Sequence, residues 1–98
     1  MAERVVEVDP AALRLPPSRG EGADLWKLQQ QVRRFGANRD GMPPIFAWED
    51  PDGLPEIIDG VTRATRIAKL APGETVPVAV IGRYRRSRAQ SPTVKEKI

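Results

Sequence analysis

Asp59, Gly60, Thr62, Arg63 and Arg66 place a carboxylate, a glycine, a hydroxyl and two guanidiniums in one short run of sequence. Those types in that order suit the binding of an anion. The run reads as a turn followed by the start of a helix, and a helix N-terminus carries partial positive charge and free backbone N–H groups. Basic residues there cost about 0.3–1 kcal/mol each. Arg63 and Arg66 fall in the first two turns with no acidic residue among them. A bound anion would offset that cost. The N–H groups, the Thr62 hydroxyl and the two guanidiniums would then form a phosphate cradle. The competing reading is a solvated basic face, with Arg66 paired to Asp59 or Glu56. This helix alone does not choose between the two.

The elements that must position those residues follow from pattern. Leu54, Ile57 and Ile58 mark a strand that leads into Asp59-Gly60, a turn pair. Asp59 is also suited to cap the helix that follows. Val61, Ala64, Ile67, Ala68 and Ala71 form an apolar stripe, and Thr62, Arg63, Arg66 and Lys69 form the opposite one. Pro72-Gly73 stops the helix.

Upstream, Arg4 to Val8 reads as a short β-branched strand, and Asp9-Pro10 turns it. Ala11 to Arg14 is compatible with one helical turn. Leu15 to Gly22 is a loop, because its prolines and glycines forbid a regular element. Asp24 caps a helix over Leu25–Phe35, ended by Gly36, whose expected buried face is Leu25, Leu28, Val32 and Phe35. Trp26 lies off that stripe and closes the edge of the core or walls a pocket, with the core role preferred. Ala37 to Met42 is a polar loop suited to border a ligand. Pro44 to Trp48 is the second strand. Glu49 to Gly53 is a hairpin connection whose three acids lack calcium-loop spacing and read as a solvated turn. Val76 to Ile81 is the last strand, and Pro77 suggests an edge position or a local irregularity. The order β-loop-α-β-β-α-β predicts a small α+β domain with a mixed sheet and two main helices over residues 1–81. Residues 82–98 are expected to be a basic tail, flexible or a short ordered arm.

Ile58-Asp59-Gly60-Val61-Thr62-Arg63-Ala64-Thr65-Arg66 resembles the second conserved box of the ParB/sulfiredoxin superfamily. Other stretches agree in order. Val5 to Val8 resembles the first strand, and Leu15-Pro16-Pro17-Ser18-Arg19 the Pro-rich first box that ends in Arg. Leu25 to Phe35 resembles the first helix, Pro43-Pro44-Ile45-Phe46 the Pro-Ile strand, and Val76-Pro77-Val78 the closing strand. The resemblance implies a phosphate site at the start of the second helix, formed by Gly60, Thr62, Arg63 and Arg66 with Arg19 opposite. Without it, Arg19 is an ordinary exposed loop residue. The resemblance also implies a nucleotide-type ligand, a nucleoside triphosphate with Mg, and a nuclease or nucleotide phosphohydrolase or phosphotransferase activity of a bacterial kind, including toxin domains. Two departures narrow this. Val61-Thr62 replace the Cys-His of sulfiredoxins, and Val61 replaces the Glu of partition proteins. Sulfinic acid reduction is excluded and chromosome partition is not expected.

The chain has 98 residues, enough for one domain, with no cysteine and no histidine. That removes thiol chemistry and the commonest general base and metal ligand. In an enzyme the acid/base role would fall on a carboxylate, which could also hold a divalent cation. Asp59 is best placed and Glu21 second, with Arg63 and Arg19 on the phosphate. The alternative is a non-catalytic module that keeps the fold and holds a protein partner. Charge is uneven: residues 82–98 hold six cations against Glu96, or +5, so a formal total of +3 leaves −2 for residues 1–81. Arg83, Arg85, Arg86 and Arg88 could touch nucleic acid, although a solvated terminus is preferred because Tyr84 is the only aromatic among them. No apolar run suggests a membrane partner, and the expected compartment is the cytoplasm.

Overall fold

A computed structural model describes residues 4–51, 53–87 and 90–98. It is an α+β fold with a four-stranded mixed sheet and two helices. The strands are β1 (Arg4–Val8), β2 (Ile45–Glu49), β3 (Pro55–Asp59) and β4 (Val76–Arg83), and the helices are α1 (Leu25–Phe35) and α2 (Val61–Leu70). Their order along the chain is the expected one. In the sheet the order is β1-β4-β2-β3, with β2 parallel to β4 and the other two pairings antiparallel. No helix among the described residues is long and apolar enough to cross a membrane.

β4 is an interior strand, but its first residues are paired on one side only, in keeping with a start at an edge as Pro77 suggested. Pro77 pairs with Glu7 of β1, and the parallel ladder with β2 begins only at Val78. The missing N–H thus precedes that ladder and removes nothing from it. Phe46 pairs with Asp59 and Ala47 with Ile57, so β3 carries one extra residue, Ile58, just before Asp59 and Gly60.

α2 lays its apolar stripe on the core, with Val61, Ala64, Ile67 and Ala68 buried against Ile45, Ile57 and Val78. α1 packs chiefly on α2. Only Leu28 of its expected face is fully buried, while Leu25 is 72% exposed and Phe35 46%. Trp26, at 67% exposed, is not part of the core. A helix that rests on one neighbouring helix needs only a narrow apolar seam, so its outer hydrophobes stay in solvent.

The loop after β1 and the C-terminal stretch contribute more to the core than their compositions suggest. Leu13, Leu15 and Val94 are each at most 1% exposed. Leu15 N–H donates to Pro92 O at 2.7 Å and Val94 N–H to Leu13 O at 2.8 Å. Arg14 bridges both Glu56 of β3 and Thr93, extending the sheet edge. The last strand runs to Arg83 rather than 81, and residues 90–98 return against the first loop, with a 3₁₀ turn over Lys95–Lys97.

Two acidic residues are buried where the sequence placed solvent or strand. Asp50, in the turn read as solvated, is fully buried and accepts from Arg14 at 2.9 Å. Glu56, 1% exposed, accepts from Tyr84 Oη at 2.8 Å and Ser91 Oγ at 3.0 Å. These bonds tie the arm and the end of β4 to β3. Buried charges persist only when paired and hydrogen-bonded, and this set satisfies that condition.

Candidate anion-binding site

Gly60 opens the site. Its φ is +115°, a conformation that L side chains rarely adopt, and it forms the N-cap of α2. Asp59 does not cap the helix, contrary to one expectation. It ends β3 opposite Phe46 with its side chain exposed, and no side chain caps α2. The strand continues through residue 59, so the carboxylate leaves the sheet before the helical turn begins. The first N–H groups of α2 are consequently without a side-chain acceptor.

A Cβ on Gly60 would lie 2.9 Å from Arg63 Nη2 and 3.0 Å from Ile45 Cγ1. The glycine thus makes room for the Arg63 guanidinium to fold back over the turn. Arg63 Nη2 donates to Pro44 O at 3.1 Å, while its Nε is buried with no acceptor among the described residues. Most of its donor capacity is unspent.

Arg66, one turn later, is the opposite case. It is 2% exposed and donates to Gly36 O at 2.7 Å, Asn38 O at 2.8 Å and Gln31 Oε1 at 3.2 Å. Its guanidinium lies 5.2 Å from the centre of the Phe35 ring. Burial lowers its pKa from the ordinary value, by penalising the charged form. Arg66 pairs with neither Asp59 nor Glu56. It is spent on pinning the loop after α1 and is not an open ligand group.

Arg19, Asp59, Gly60, Thr62 and Arg63 line one cleft of about 390 Å³, between the loop after β1, α1 and the start of α2. That lies within the size range of small-molecule sites, roughly 300–1,000 Å³. The Arg19 guanidinium donates to the carbonyl of adjacent Ser18, at 3.2 Å, and to no other group among the described residues. Lys27, which sequence reasoning missed, lines the same cleft from α1. Its position one turn after the Asp24 cap is the only signal, and nothing in the sequence sets it apart from Arg33. Asp59 is the single carboxylate in the lining. None of Arg19, Lys27, Arg63 and Asp59 makes an ion pair among the described residues. Elsewhere Arg4 pairs with Glu49, Arg14 with Asp50 and Arg39 with Glu7.

Glu21 is outside the cleft, with its side chain 97% exposed and 3.6 Å from Lys97 Nζ. No cluster of three acidic metal-ligating side chains occurs among the described residues. In the C-terminal stretch Arg83 approaches Glu49 at 3.9 Å, and the Tyr84 ring packs 5.2 Å from that of Trp48. Arg85 and Arg86 are exposed, and Arg88 lies outside the described residues.

No protein-family model matches the chain, and no curated protein matches it significantly.

Proposed function

We propose that this protein binds a phosphate-bearing ligand of nucleotide size in the cleft at the start of α2. The observation that carries the reading is the gathering of three cations, Arg19, Lys27 and Arg63, in a cleft with one carboxylate, none of them in an ion pair among the described residues. Uncompensated like charges in a concave site raise the local affinity for an anion. The uncapped N–H groups of α2 and the Thr62 hydroxyl add donors without adding charge. The ordered resemblance to the ParB/sulfiredoxin superfamily supports the same placement.

In a catalytic form of this reading, Arg63 and Arg19 neutralise the phosphate and stabilise charge that develops on it. Asp59 would accept the proton of the attacking group, or would hold Mg²⁺, which would supply charge neutralisation at the phosphate. A nuclease and a nucleotide phosphohydrolase both fit that chemistry. One observation favours a non-catalytic version. Val61 is 8% exposed and faces the core, so the residue after Gly60 supplies no acid or base and Asp59 stands alone.

A thermal-shift panel of ATP, ADP, CTP, GTP and inorganic phosphate, with and without Mg²⁺, tests the reading. A ligand at about 100 times its Kd adds about 2.7 kcal/mol of stability. The expected result is a shift with at least one phosphate ligand that Arg63→Ala abolishes. Absence of any shift overturns it. Turnover that Asp59→Asn removes, with binding retained, separates the enzyme from the module.

A further inference from the structure

The sheet is closed on one side only. α2 covers one face, where Ile45, Ala47, Val78 and Val80 belong to the core. Alternation along the strands puts Val5, Phe46, Trp48, Pro77 and Ile81 on the opposite face, and none of them belongs to the core or packs against it. Val5 of β1 and Phe46 of β2 both pair with Ala79 of β4, so the three form one row across the sheet. Val5 is 61% exposed.

That composition does not suit a wetted surface. A sheet with one face in water alternates apolar and polar residues, whereas strands buried on both faces read as continuous apolar runs. β2 begins Ile45-Phe46-Ala47-Trp48, and β4 begins Val76-Pro77-Val78-Ala79-Val80-Ile81. These two strands are the parallel pair at the centre of the sheet, and parallel strands are normally covered on both faces. Tyr84 folds onto one end of the outer face, beside Trp48 and bonded to Glu56. The row through Val5, Ala79 and Phe46 keeps its apolar surface.

Charge indicates what covers it. Asp9 and Glu74 stand at the end of the sheet where β1 finishes and β4 begins. Arg83, Arg85 and Arg86 stand at the other end, where β4 finishes. The ends keep these signs once their own ion pairs, Arg39 with Glu7 and Arg4 with Glu49, are set aside. A two-fold axis between two such faces, perpendicular to the strands, sets the acidic end of each copy against the basic end of the other. The surface is thus complementary to itself.

We infer that the outer face of the sheet is a contact surface between two copies of this chain, packed sheet on sheet with their strands antiparallel. The face lies across the sheet from α2, so pairing leaves the cleft open and needs no ligand. Four strands of about five residues span roughly 17 by 19 Å, well short of the ~800 Å² per partner of a standard interface. The pair is therefore reversible, with a Kd on the order of tens of micromolar.

Sedimentation velocity of the full chain from about 5 to about 500 µM spans that range. The wild type should rise to twice the single-chain mass and no further, because a two-fold contact closes on itself. Val5→Lys puts a charge into the middle of the contact at a residue already exposed in the single copy. Its Tm at low concentration should match the wild type, and its dimer should weaken about tenfold or more. Arg85→Glu combined with Arg86→Glu should weaken the dimer about three- to tenfold, a difference that shrinks at about 1 M salt. A wild type that stays single at every concentration overturns the proposal. So does a dimer that Val5→Lys leaves intact, since its contact lies on another surface. Growth beyond two copies, or a dimer tightened by the double charge reversal, overturns the two-fold arrangement.

Discussion

Arg63 and Arg66 lie on one helix, one turn apart, and replacing each by Ala should give opposite phenotypes. Arg66→Ala removes charge-assisted hydrogen bonds to two backbone carbonyls and to Gln31, and it removes the guanidinium over Phe35. Each such bond is worth about 1.5–3 kcal/mol, and the carbonyls of Gly36 and Asn38 lose a donor. Against this stands the cost of keeping a cation buried, which the substitution relieves. The balance is a loss of about 2–4 kcal/mol. For a domain of this size about 1 kcal/mol moves Tm by roughly 4–8 °C, so Tm should fall by roughly 8–30 °C. Arg63→Ala removes one bond of 3.1 Å and relieves a buried Nε that has no acceptor. Its stability cost should stay below about 1 kcal/mol. Phosphate-ligand binding should respond in the reverse order, lost in Arg63→Ala and retained in Arg66→Ala below its lowered Tm. Thermal denaturation followed by circular dichroism, paired with calorimetric titration, reads both quantities. Equal Tm values for the two variants, or loss of binding in Arg66→Ala while it is still folded, would refute the division of labour.

Gly60→Ala should both destabilise the fold and weaken the site. The φ of +115° is strained for alanine, and the new Cβ meets the Arg63 guanidinium at 2.9 Å. A loss of about 1–3 kcal/mol is expected, with phosphate affinity reduced because Arg63 is displaced, as denaturant titration and calorimetry would show. Val94→Ala should cost about 2 kcal/mol, since Val94 is 1% exposed in the core beside Leu13. An unchanged denaturation midpoint would show that the C-terminal arm is dispensable.

The residues that shape the cleft were largely legible in the chain. The apolar period of α2, the Asp59-Gly60 turn and the Asp24 cap are local signals, and each produces its element. Gly60, Thr62 and Arg63 are neighbours in sequence, so the turn alone brings them together. Arg19 joins them across a long separation, and only the resemblance singled it out. The α+β class and the element order follow from the same local patterns. The C-terminal basic stretch shows where local reading runs out. Its composition reads as solvated, yet Ser91 and Val94 reach partners in β3 and in the first loop, more than thirty residues away.

What the sequence by itself determined is which strands and helices form and in what order, because those signals depend on neighbours within a few residues. What only the tertiary structure decided is which charged groups are spent and which are free. Arg63 and Arg66 share one polar stripe of α2, and no periodicity distinguishes them. The loop after α1 folds over Arg66, and its carbonyls consume that guanidinium, while Gly60 leaves Arg63 facing the cleft. Asp50 and Glu56 are buried for the same kind of reason: distant chain segments close over them and supply donors. A charge's role depends on desolvation and on its partners, and both are set by groups that only the folded chain brings within a few ångströms.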